Sequence, residues 1–197
     1  MSAQLEAAIA AYAAGEVIVL TGDRLRGGDI DFAVAARHAT ADAVNFMATH
    51  GRGLICLAIT PERAVRLGIG LINPGAERQS GRPYGRSIEA VSGVSTGISA
   101  ADRARTVAVA IADDTTSDDL VSPGHVFPLI SAPGGIAERP AALEAAIELS
   151  RRTGLGDAAV ICSIMRDDGE MARIDDIADL IARFGLKVAD IGDLASS

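Results

Sequence analysis

Five short runs of mostly aliphatic residues punctuate this chain: "VIVL" (17–20), "IDFAV" (30–34), "LICLAI" (54–59), "GHVFPLI" (124–130) and "AAVICSIM" (158–165). Each is too short for a helix and is bounded by glycine, proline or charge, the pattern of strands that bury both faces. Segments with helical spacing lie between them. Leu5, Ala8, Ile9 and Tyr12 recur on one face of a helix over 3–14, with Gly15 as its stop. Thr40 caps a helix reaching about His50, and Thr60-Pro61 opens a short one with proline at its first position. Ser99, three residues before Asp102, opens another, and a helix over 140–152 starts at Pro140 and carries the pair Glu148–Arg152. "SIEAVS" reads as a further strand, "DDG" (167–169) as a hairpin turn leading into "EMARI", "DDIADLIARFG" as a helix ended by Gly185, and "LKVADI" as a closing strand. Strands and helices mix without strict alternation. The pattern predicts the α+β class, a mixed-sheet α/β sandwich in one domain over 1–197, rather than a doubly wound parallel sheet.

Aliphatic side chains must build that core, because aromatics are 3% of a chain that is 49% apolar and has no tryptophan. A net charge of −8 and a pI near 4.8 argue against non-specific nucleic acid or an anionic membrane as partner. No apolar run approaches the roughly 18 residues of a membrane span, and the N-terminus lacks a basic start, so a cytoplasmic protein is expected. Cys56 and Cys162 each sit inside an apolar strand, which predicts buried thiols rather than a disulfide or metal pair. Dinucleotide and P-loop motifs are both missing.

Two polar stretches stand out. "TGDRLRGGDIDF" (21–32) follows the first strand with glycines and arginines, and "NPGAERQSGRPYGR" (73–86) is one long loop rich in Gly, Pro and Arg. Long loops in compact domains often carry function.

Several stretches resemble the 3,4-dihydroxy-2-butanone-4-phosphate synthase family of riboflavin biosynthesis: "HGRGLICLAIT", "GVSTGISAADRARTVAVAIAD", "SPGHVFPL", "EAAIEL" and "DDGEMAR". The resemblance implies a compact α+β sandwich and a homodimer with active sites near the subunit interface. It also implies a Mg²⁺-assisted release of formate from ribulose 5-phosphate. At matched positions Arg24, Asp29 and Arg139 keep the family's substrate-binding residues, while Cys56, His125 and Glu144 persist. The family's metal-binding glutamate corresponds to Leu25 and the next glutamate to Gly27. Its metal-binding histidine corresponds to Ala142, with Leu143 for the neighbouring threonine, and its catalytic glutamate to Ser163. Leucine and alanine offer a hard cation no ligand.

In the long loop Arg82, Tyr84 and Arg86 replace a threonine, a phenylalanine and a valine of the family pattern, with Arg78 upstream. Together with Arg24, Arg26 and Arg139 these arginines are expected to form a cationic cup for a small anionic substrate. His125 is the candidate general acid–base, beside Asp29, Tyr84 and Cys56 as further catalytic candidates; Arg24, Arg82, Arg86, Arg139 and Glu144 are the substrate-binding candidates. His38 and His50 read as surface or packing residues. Glu144 is alternatively a solvated charge on an exposed helix face.

The leading expectation is a metal-independent relative that isomerises, dehydrates, cleaves or rearranges a small anionic carbonyl compound, with natural-product biosynthesis as a setting. One alternative is the synthase reaction itself, with Mg²⁺. The other is a non-catalytic anion-binding or partner-regulating protein.

Overall fold

The computed structural model describes residues 2–72, 74 and 82–197. Arg78 and its neighbours therefore lie outside the described residues. Among the described residues seven strands form one mixed sheet: β1 (Ile18–Asp23), β2 (Asp29–Ala35), β3 (Cys56–Ile59), β4 (Ile88–Ala90), β5 (Leu120–Ile130), β6 (Ala159–Ser163) and β7 (Val188–Asp190), in the order β4-β5-β3-β6-β2-β1-β7. β1–β2, β2–β6, β3–β6 and β4–β5 pair antiparallel; β3–β5 and β1–β7 pair parallel. The mixed sandwich expected from the unalternated order of elements is what forms.

The aliphatic runs divide by parity. Val19, Ile30, Phe32, Val34, Leu57, Val160 and Cys162 face one layer, packed by helices Ala41–Gly51 and Ala100–Ile111. Leu20, Ala33, Ala35, Cys56, Ala58, Leu129, Ala159 and Ile161 face the other, covered by helices Ala3–Ala13 and Ala142–Arg152. Strands buried on both sides must read as near-continuous apolar runs, which is why these were legible. The second layer is rich in alanine, so Ala142–Arg152 lies close against the sheet.

Caps fall where the sequence predicts them. Thr40, Thr60 and Ser99 each accept a hydrogen bond from the backbone N–H three residues on. Cys56 and Cys162 are buried and unpaired with each other. His50 packs on Phe46 and Phe184, with ring centroids 4.7 and 5.0 Å away. After β6 the expected hairpin reduces to a single bridge, Met165 to Met171, because the turn through Gly169 is followed by the 3-10 segment Ile174–Ile177 instead of a strand. Two elements run longer than their patterns suggested, β1 to Asp23 and β5 back to Leu120, since ladder pairing carries polar residues into a strand. The short helix Ile191–Ala195 was not foreseen. Among the described residues no helix is long and apolar enough to cross a membrane.

Candidate active site

The glycines of "RLRGGD" serve the β1–β2 turn. Arg24–Arg26 form one 3-10 turn, and Gly27 and Gly28 follow with φ of 65° and 86°, a left-handed pair that non-glycine residues resist. The chain thereby doubles back until Asp23 pairs with Asp29. Arg26 then reaches over the end of the sheet, whereas Leu25 points outward at 57% exposure and Arg24 is exposed as well.

Asp31 is the centre of what Arg26 meets. It lies on β2, on the alanine-rich face, and is fully buried. One carboxylate oxygen accepts from Arg26 Nη1 at 2.7 Å, and the other accepts from Arg82 Nη2 at 2.6 Å and from Ser163 Oγ at 2.8 Å. Ser163 stands directly opposite Asp31 in the β2–β6 ladder, and Arg82 also donates to its Oγ at 2.7 Å. A close approach holds that end of β6: a Cβ on Gly53 would lie 2.5 Å from the Ser163 carbonyl oxygen. Burial alone would raise the Asp31 pKa. The charges of Arg82 and Arg26, with the hydrogen bonds from Arg82 and Ser163, outweigh it and hold the carboxyl below its ordinary range. Asp29 is bound in the same way, by Arg26 Nη2 at 2.9 Å and Arg173 Nη1 at 2.6 Å.

A second pair of carboxylates lies beside this cluster at the start of helix Ala142–Arg152. Asp23 Oδ2 accepts from the Ala142 N–H at 3.0 Å, capping a helix whose own N-cap residue, Ala141, offers no side-chain bond. Glu144 Oε1 accepts from the Ala132 N–H at 3.0 Å and lies 3.9 Å from Arg139 Nη1. Glu144 is therefore buried, not on an exposed face; helix packing on the sheet covers it, and burial raises its pKa. Asp23 Oδ1 and Glu144 Oε2 are buried with no hydrogen-bond partner among the described residues. Asp23, Arg26, Arg82, Arg139 and Ala142 line a cavity of only about 10 Å³, the room of one water.

Cys56 sits on the same face, fully buried. Its thiol is pushed up to about 12 by burial, which Arg82 only partly opposes, so it is a packing thiol rather than a ready nucleophile. Tyr84 is half-buried beside Leu129, with its phenol raised by burial, and remains a hydrogen-bond donor. Arg86 is turned away: its Nη2 donates to the Gly68 carbonyl at 2.8 Å, closing the end of helix Pro61–Arg66.

His125 belongs to a different corner. Strand alternation puts it on the face shared by Phe127 and Leu129, but β5 lies three strands from β2, about 14 Å at ordinary strand spacing. Its Nδ1 is 2.5 Å from Glu89 Oε2, and the imidazole is 42% exposed. A Cβ on Gly97 would collide with the Glu89 carboxylate, so this pair has a glycine-shaped seat.

The expected cationic cup is thus corrected in two respects. Of its arginines, Arg26 and Arg82 turn inward, Arg139 is mostly buried, and Arg24 and Arg86 do not join them. The inward ones are not left to hold an anion alone: Arg26, Arg82, Arg139 and Arg173 face Asp23, Asp29, Asp31 and Glu144, a formal balance of charge. Asp31, Arg173, Asp23 and Glu89 escaped the sequence reading. A lone charge inside "IDFAV" was the available signal for Asp31; the others needed the fold.

The family model for 3,4-dihydroxy-2-butanone 4-phosphate synthase matches residues 6–197. The chain belongs to that family. It is 43% identical to the riboflavin biosynthesis protein RibBA of Aquifex aeolicus over 96% of its length and 47% of the relative's. It is also 43% identical to the 3,4-dihydroxy-2-butanone 4-phosphate synthase of Pseudomonas aeruginosa, over 91% of its length and 49% of the relative's. The chain therefore spans about half the length of these curated relatives. Among solved structures it resembles a 3,4-dihydroxy-2-butanone 4-phosphate synthase in complex with two magnesium ions, with TM-score 0.90 and 33% identity over 97% of this chain and 94% of that one. It likewise resembles RibBX, a two-domain synthase of A. baumannii, with TM-score 0.89 and 39% identity over 96% of this chain and 56% of that one. The names of these relatives point to riboflavin biosynthesis, where a natural-product setting was the expectation.

One of these relatives was solved with two magnesium ions, so the donor set of this site bears on Mg²⁺. Mg²⁺ takes oxygen ligands in near-octahedral array. Here Leu25, Gly27 and Ala142 bring no side-chain donor, and the Asp29 and Asp31 oxygens are engaged by guanidinium groups. Among the described residues no three His, Cys, Asp or Glu converge as a metal site. These residues do not fit the ion.

Proposed function

We propose that this chain acts on a small phosphorylated, polyhydroxylated carbonyl compound, with ribulose 5-phosphate the first substrate to assay. The corresponding reaction splits it into dihydroxybutanone phosphate and formate, an atom-balanced cleavage that needs no oxidant. The observation supporting this is spatial. Asp29, Cys56, Arg139 and Glu144, residues matched to the family but scattered over the sequence, gather with Arg26 and Arg82 at one end of one sheet face. The guanidinium groups supply fixed positive potential for a phosphate or developing oxyanion, Asp29 orients a hydroxyl, and Tyr84 donates a hydrogen bond.

His125, with Glu89 behind it, is the residue suited to proton transfer at neutral pH. Its place near the sheet edge fits a homodimer in which a second copy completes the site. Val91, Ile98 and Val121 are each about half exposed around that edge, an apolar surface such a contact would cover. Light scattering should then give twice the 20.1 kDa chain mass.

The experiment is incubation with ribulose 5-phosphate, followed by NMR for formate and the four-carbon product. Formate release supports the synthase reading. The saturated Asp29 and Asp31 oxygens favour a second one, a metal-independent transformation of a related anion; turnover unaffected by EDTA is its mark. Binding without turnover would overturn both in favour of a non-catalytic role.

A further inference from the structure

Asp31, at the centre of this site, is not among the residues matched to the family. A fully buried carboxylate in a central strand is costly unless paired, and here it is paired twice. The two guanidinium groups arrive from different parts of the chain, Arg26 from the β1–β2 turn and Arg82 from the end of the long loop. Ser163 supplies the third contact from the facing strand.

We infer that the Arg26–Asp31–Arg82 cluster, two guanidinium groups fixed on one buried carboxylate, takes the place of a bound divalent cation, and that the site takes no Mg²⁺. This rests on the reading that the cluster lies in the substrate site, and it concerns how that site is charged.

A cation ligated by Asp29 or Asp31 would displace guanidinium groups now 2.6–2.9 Å from those oxygens and would remain beside them, like charges in a water-poor setting. The two uncommitted oxygens, Asp23 Oδ1 and Glu144 Oε2, offer no refuge. Arg26 lies 4.0 Å from the Asp23 carboxylate and Arg139 lies 3.9 Å from that of Glu144.

The test needs no variant. Mn²⁺ is titrated with the whole chain and followed by electron paramagnetic resonance, where the six-line signal of the free aquo ion vanishes on binding. Full signal amplitude at equimolar protein is expected. Loss of one or two equivalents of signal, restored by competing Mg²⁺, would overturn the inference. A calorimetric titration of ribulose 5-phosphate, with EDTA and with Mg²⁺, separates this from the function on which it rests. Binding of the sugar phosphate unchanged by EDTA supports both. Binding that appears only with Mg²⁺ sinks the cluster's role and leaves the substrate standing. No binding in either buffer removes the substrate, while the Mn²⁺ result still decides whether the site takes a cation.

Discussion

The two polar corners of this sheet handle charge in opposite ways. Both oxygens of Asp31 are held by arginine or serine, the carboxylate is fully buried, and the geometry is over-determined by contacts from three parts of the chain. At the β4–β5 edge a single imidazole leans on a single glutamate with nearly half its surface in solvent. A saturated buried cluster cannot gain or lose a proton cheaply, so it provides a fixed field. At the edge the imidazole is part-exposed on a largely buried glutamate, within reach of solvent or a ligand. One corner keeps its charges out of solvent; the other leaves an imidazole within reach of it.

Removing the buried counter-charge should break that contrast most severely. Asp31→Ala leaves two guanidinium groups without their partner and is expected to cost about 3–5 kcal/mol of folding stability, read from urea denaturation. A loss below about 1 kcal/mol would mean the cluster is hydrated and not what this structure describes. His125→Ala should barely move the urea midpoint yet slow formate release at least about 100-fold, near 2.7 kcal/mol of barrier. Unchanged turnover would make His125 a structural residue.

The pH dependence of stability sharpens the same comparison. The Asp31 pKa is depressed on folding, so its contribution is present above the unfolded value and is lost as pH falls through the folded one; denaturation midpoints should drop in acid. The Glu144 pKa is raised, so its contribution is present below the unfolded value and fades as pH rises through the folded one. Glu144→Gln should flatten that second slope and leave the acid limb alone. Last and smallest, Arg86→Ala should shift stability by no more than about 0.5 kcal/mol, because the one described bond of its side chain is an exposed contact to the Gly68 carbonyl. A larger change would return Arg86 to the site.

The sequence by itself determined the layered mixed fold, the helix caps at Thr40, Thr60 and Ser99, and the buried state of both cysteines. These depend on local spacing: parity along a strand, a hydroxyl three residues before an N–H, and an apolar run with no charge in it. It also marked Arg82, Arg139 and Asp29 as residues of interest. It could not say that Arg26 would fold back while Arg24 and Arg86 faced away, nor that Glu144 would be buried. Those outcomes were decided by tertiary structure, because where a guanidinium points depends on which distant carboxylate is in reach, and Asp31 meets its partners only after β2 is zipped to β6 and the turn at Gly27-Gly28 has reversed the chain.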